Sequence, residues 1–142
     1  MLASPIAMRI RYQRITIVKS RKPEKDNLNY ELQWFGNSLG LFNLRDKDKS
    51  CFRIFITLLK SVKEKIPLSI DEVAERLNLS RGTVVFHLNK LMGSGIVIYE
   101  DNGYILRVEN LKELIDEIER DIQKSCSNLK EIAEDIDERL GL

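Results

Sequence analysis

The chain has 142 residues, of which 43% are hydrophobic and 32% charged, enough for one domain with a modest core and additional segments. Its net charge of +1 hides a division: residues 1–43 sum to +4, residues 44–108 to +3 and residues 109–142 to −6, so a basic front suits a phosphate-bearing partner and an acidic tail stays away from it. Cys51 and Cys126 stand far apart and no apolar run reaches membrane-spanning length, which excludes a disulfide scaffold and sets the expectation of a cytoplasmic protein with no leader segment and no membrane partner.

The first 43 residues read as two strands, Arg14 to Ser20 (RITIVKS) and Asn29 to Phe35 (NYELQWF), separated by the polar loop from Arg21 to Asp26. This β-hairpin extension would turn Ile15, Ile17 or Trp34 toward a buried face. Arg9, Arg11 and Arg14 precede or open the first strand and are candidate phosphate contacts, or simply a solvated face. The stretch FGNSLGLF, from Phe35 to Phe42, reads as a connector, with an anion nest at its glycines as the sharper alternative.

From Asp48 to Lys65 a wide apolar face of Cys51, Phe52, Ile54, Phe55, Leu58, Leu59 and Val62 predicts a core helix. Cys51 fits there as a small buried hydrophobe. Pro67 ends the connection. Ser69 with Glu72 then forms a capping box, so a helix starts at Ile70, with Val73, Ala74 and Leu77 inward; Ala74 is small enough for a second helix to cross closely. Asn78 interrupts, and Ser80 caps a further helix whose buried stripe is Val84, Leu88 and Leu91. Its other face carries Arg81, Gly82, Val85, Phe86, Asn89 and Lys90. Val85 and Phe86 are poorly placed in water, whereas in a major groove their apolar atoms would meet thymine methyls while Arg81, Asn89 and Lys90 supply donors. The competing placement packs Phe86 against a neighbouring element. Two short helices in this arrangement are a helix-turn-helix, and they point to double-stranded DNA.

Next, IVIYE and YILRV flank Asp101-Asn102-Gly103. The Asn-Gly step predicts a hairpin, because a primed turn needs positive φ at its central residues. Beyond it, Asn110 with Glu113 reads as another capping box, and Leu111, Ile115, Ile118, Ile122, Leu129, Ile132 and Ile136 recur in heptad steps interrupted by Ser125. A stripe on a helix of about 45 Å exceeds what one small domain buries, so pairing with a second copy is expected; folding back on its own domain is the alternative.

The phrase SRGTVVFHLNKLMGSGIV resembles the recognition helix and following turn of winged-helix regulators of the ArsR type, through Ser80, Thr83, Val84, His87, Leu88, Leu91, Gly95, Ile96 and Val97. The resemblance spans roughly Asp48 to Val108. It implies a dimeric, sequence-specific transcription regulator that lays the helix from Ser80 in the major groove and its wing along the adjacent backbone or minor groove. It also implies a fold and DNA-surface role for His87. Many such regulators sense metals through cysteine pairs or histidine-carboxylate clusters; here the cysteines are isolated and His87 is the only histidine, so no metal and no cofactor is expected.

The expected architecture is therefore α+β: an N-terminal β-hairpin extension (1–43), a winged helix-turn-helix (44–108) and a long, coiled-coil-like C-terminal dimerisation helix (109–142). The expected function is a homodimeric repressor reading a palindromic operator, with Ser80, Arg81, Thr83, Val85, Phe86, His87, Asn89 and Lys90 on the reading helix and Asn102 and Arg107 on the wing. A winged-helix module that binds protein is the alternative. No nucleophile-base set, phosphate loop or metal spacing supports an enzyme. If the protein answers to an effector, the extension and its junction with the first core helix are where it would enter.

Overall fold

The computed structural model describes residues 12–24, 26–42 and 48–142; Arg9, Arg11 and the expected boundary at residues 43–44 lie outside them. Among the described residues five α-helices and one hairpin follow in order: α1 (Leu28–Ser38), α2 (Ser50–Ser61) with a 3-10 turn at Val62–Glu64, α3 (Ile70–Leu77), α4 (Arg81–Gly93), β1 (Val97–Glu100), β2 (Gly103–Leu106) and α5 (Leu111–Leu140).

The core forms where α2, α3 and α4 cross. Ile54, Phe55 and Leu58 of α2, Val73 of α3, and Val84, Leu88 and Leu91 of α4 are all at most 1% exposed. The capping box at Ser69 is complete, with the Glu72 amide donating to the Ser69 hydroxyl and the Ser69 amide donating to the Glu72 carboxylate. Asn78 closes α3 in the left-handed region at φ 54°. There the Arg53 guanidinium, from α2, donates to the Leu77 carbonyl at 2.7 Å, placing a cation where the helix dipole is negative and tying α2 to the end of α3.

β1 and β2 pair antiparallel from Val97↔Leu106 to Glu100↔Gly103. The turn sits one residue earlier than the Asn-Gly step suggests: Asp101 (φ 50°) and Asn102 (φ 63°) are the two central residues, as the primed turn demands. Gly103 instead opens β2, where a Cβ would lie 2.7 Å from Pro67 Cβ and 2.9 Å from the Pro67 carbonyl carbon. That close approach lets Leu68 and Tyr104 exchange both backbone hydrogen bonds, at 2.9 and 2.8 Å, so the segment before α3 becomes a one-residue third strand.

The N-terminal β-hairpin is not formed. Residues 29–35 are helical, within α1. The sequence carries both patterns, since Tyr30, Leu32 and Trp34 alternate while Leu28, Leu32, Phe35 and Leu39 recur at helical spacing. Asn27 decides between them by accepting the Tyr30 amide as an N-cap. Tertiary packing then fixes the helix: Phe35 stacks on Phe55 with centroids 6.3 Å apart and Phe42 on Phe52 at 4.7 Å, while a Cβ at Gly36 would meet the Phe52 ring at 2.6 Å. No anion nest exists in the connector either, because the amides of Leu39, Gly40 and Leu41 turn back to the carbonyls of Phe35, Asn37 and Gly36. Leu39 and Leu41 enter the core.

Residues 13–20 form neither helix nor strand and hydrogen-bond to helix ends. The Arg14 amide donates to the Gly93 carbonyl at 2.7 Å and the Val18 amide to Ser38 at 2.8 Å. The segment is a strap that joins α1 to the end of α4.

α5 divides into two parts. Leu114 and Ile118 are 0% and 3% exposed, and Leu111 and Ile122 pack partly against the same core. Ile118 is thus covered by its own domain and is unavailable to a partner, which corrects the heptad assignment; Leu114, one position off the stripe, was not expected to be buried at all. From residue 123 onward every residue is exposed.

Candidate nucleic-acid interface

Ser80 starts α4 by accepting the Thr83 amide at 3.1 Å and donating its hydroxyl to Thr83 Oγ1 at 2.8 Å. The helix then presents two sides. The inner side is core. The outer row runs through Gly82, Phe86, Asn89 and Gly93, with Phe86 66% exposed and open space where a Cβ at Gly82 or Gly93 would stand. Its ring and that of His87 lie in a T-shaped arrangement, with centroids 5.2 Å apart.

Arg81 flanks this row at the helix start and is ion-paired to Asp71 of α3. Both side chains are well exposed, so the pair is weak and easily exchanged for a phosphate. Lys90 sits at the far end, its ammonium donating to the Gly40 carbonyl at 3.1 Å. Val85 and Thr83 are half-buried on the two flanks, and Asn102 is exposed at the wing tip.

Two expected contacts are removed from this surface. His87 is 8% exposed, turned toward the core beside Leu88; its place three residues after Val84 and four before Leu91 puts it on the inner stripe. Arg107 leaves the wing and points at α5, bonded to Asp121 at 2.5 and 3.3 Å and to Glu117 at 3.2 Å. Nothing local in the sequence signals that network, because its members are 10 and 14 residues apart and meet only when α5 folds back. The Gln13 side-chain amide adds donors to Asp121 at 2.9 Å and to the Ser94 carbonyl at 3.2 Å, so strap, α4 and α5 are tied at one point.

The Arg107 hydrogen bond holds the Asp121 carboxyl below its ordinary value, against partial burial, with Gln13 assisting. A carboxylate whose folded-state pKa lies below its unfolded one stabilises fully above the unfolded value, about 3.9, and less as pH falls through the folded value. Asp121→Asn should therefore lower stability by about 1–2 kcal/mol at neutral pH, and the difference from the native chain should close in acid. Thermal melts of both proteins across that range measure it.

Among the described residues no three His, Cys, Asp or Glu side chains converge as metal ligands, and no helix is long and apolar enough to cross a membrane. Three crossed helices, a hairpin wing bridged to the segment before α3, and an outward-facing second helix define a winged helix-turn-helix of the α+β class. Residues 56–99, from within α2 into β1, match the family model described as bacterial regulatory protein, arsR family. The match makes this segment similar to ArsR-type regulator domains and supports DNA-binding regulation of transcription. No curated protein and no solved structure matches the chain. The strap, α1 and α5 lie outside the matched segment.

Proposed function

We propose that this protein is a homodimeric repressor that reads a palindromic operator with the outer row of α4. The observation that carries the reading is Phe86, held 66% exposed on a helix whose opposite side is fully buried, between residues too small to obstruct a groove. In that setting Phe86 and Val85 meet thymine methyls, Asn89 reads base edges, Arg81 and Lys90 take phosphate or guanine, Ser80 and Thr83 offer hydroxyls at the helix start, and Asn102 carries the wing's contact. His87 supports the helix from beneath, and Arg107 anchors the wing to α5.

Dimerisation falls to the distal part of α5. Leu129, Ile132, Ile136 and Leu140 are 68%, 59%, 48% and 69% exposed and share one side of a helix with no cover of its own; Ile115, at 37% exposed, extends that side toward the domain. A second copy of the same stripe covers it in the manner of a coiled coil. Two reading helices held about 34 Å apart then match successive major grooves.

A fragment from upstream of the protein's own gene should be retarded by the purified chain, with affinity falling as salt rises. In Arg81→Ala/Lys90→Ala, retardation should be lost while the oligomer persists, and residual binding at low salt should show a log-log salt slope shallower by about 2. Undiminished binding by that variant assigns DNA recognition to another face.

A further inference from the structure

Between the C-terminal end of α4 and the base of β1 lies a cavity of about 200 Å³. Met92, Val97, Ile98 and Tyr99 form its apolar walls, and Gln13 of the strap and Arg107 contribute the polar ones. An apolar protein cavity of about 150 Å³ is large enough to hold benzene, so this space accommodates one aromatic ring or a small fused pair.

The polar walls narrow the chemistry. Arg107 is the single cation among the lining residues, and it is already bonded to Asp121 and Glu117. An anionic ligand would meet two carboxylates competing for the same guanidinium, and a cationic one would meet the guanidinium itself. Gln13 donates its side-chain N–H groups to Ser94 and Asp121, which leaves its carbonyl oxygen as the group it can offer, an acceptor. The Met92 thioether adds a soft, polarisable surface suited to an aromatic ring.

We infer that this cavity is a binding site for a small, uncharged aromatic molecule carrying one N–H or O–H donor. Its position, bounded by the end of the reading helix, the wing and the strap, gives such a molecule contact with three elements at once. The inference is independent of the DNA-binding reading, and its test contains no DNA.

The test is a titration of the isotopically labelled full chain with indole, followed by amide NMR. Saturable shifts centred on Gly95, Val97, Ile98 and Arg107 are expected. 1-Methylindole, which lacks the donor, should bind roughly three- to tenfold more weakly, and benzoate should produce no saturable shift at these amides. Met92→Trp fills the cavity from the helix side and Ile98→Trp from the strand side; whichever retains a native melting profile should lose the indole response. Absence of saturable shifts, tighter binding of benzoate than of indole, or an undiminished indole response in a folded cavity-filling variant overturns the assignment.

Discussion

Replacing Leu129, Ile132 and Ile136 together by Glu is expected to yield a folded monomer that no longer retards operator DNA. These three side chains are largely exposed within one chain, so the substitution removes almost nothing from the core and the winged domain should melt nearly as before. In the proposed dimer the same positions form the seam, where six added carboxylates in an already acidic segment would face one another in a desolvated stripe. Loss of the second reading helix removes the gain from linking two half-sites, commonly about 10²- to 10⁴-fold in affinity. Sedimentation equilibrium, a thermal melt and gel retardation read the three consequences separately. A persistent dimer would place the seam elsewhere, and retained retardation by a true monomer would remove the symmetric operator from the reading.

The second large effect comes from two phenylalanines that differ in placement alone. Phe55 is 0% exposed, in the core with Ile54 and Leu58 and stacked by Phe35, so Phe55→Ala should cost about 3–5 kcal/mol through lost burial and a residual cavity. Against a typical total of about 5–15 kcal/mol, that leaves the fold marginal. Phe86 has the same chemistry but is 66% exposed on the outer row of α4; Phe86→Ala should change stability by less than about 0.5 kcal/mol and still weaken specific DNA binding by about 1–3 kcal/mol, the usual cost of one lost base-pair readout. Denaturant titrations and retardation assays on both variants test the contrast. A large stability loss at Phe86 would mean that its ring belongs to the core.

The helix-turn-helix was legible because its determinants are local. A Ser-Glu capping box, an asparagine able to adopt positive φ, and a serine cap each act within three or four residues, and together they set where α3 and α4 begin and end. The wing was legible for the same reason, with one displacement: Asn102-Gly103 draws the eye, yet the turn centres on Asp101-Asn102, because Gly103 is required where β2 passes Pro67. Such a contact between distant segments leaves no trace in a local turn rule. The segment from Asn29 to Phe35 failed differently. Its residues satisfy strand and helix spacing at once, and the choice lies with the Asn27 cap and the aromatic contacts to α2.

The candidate site follows the same division. Helical spacing along α4 placed Phe86, Asn89 and Gly82 outward and His87, three residues after Val84, inward, but a histidine's polarity made the outward reading equally natural. Arg107 read as a wing cation until α5, folding back, set Asp121 and Glu117 beside it. The amino-acid sequence by itself determined the caps, the helix α4, the hairpin and the existence of a long amphipathic tail, all consequences of periodicity and short-range hydrogen bonding. The tertiary structure alone decided which half of that tail is already covered, where the N-terminal strap attaches and which charges remain open to a partner. Those outcomes depend on surfaces built from segments tens of residues apart, whose mutual burial is set by packing and not by any neighbour along the chain.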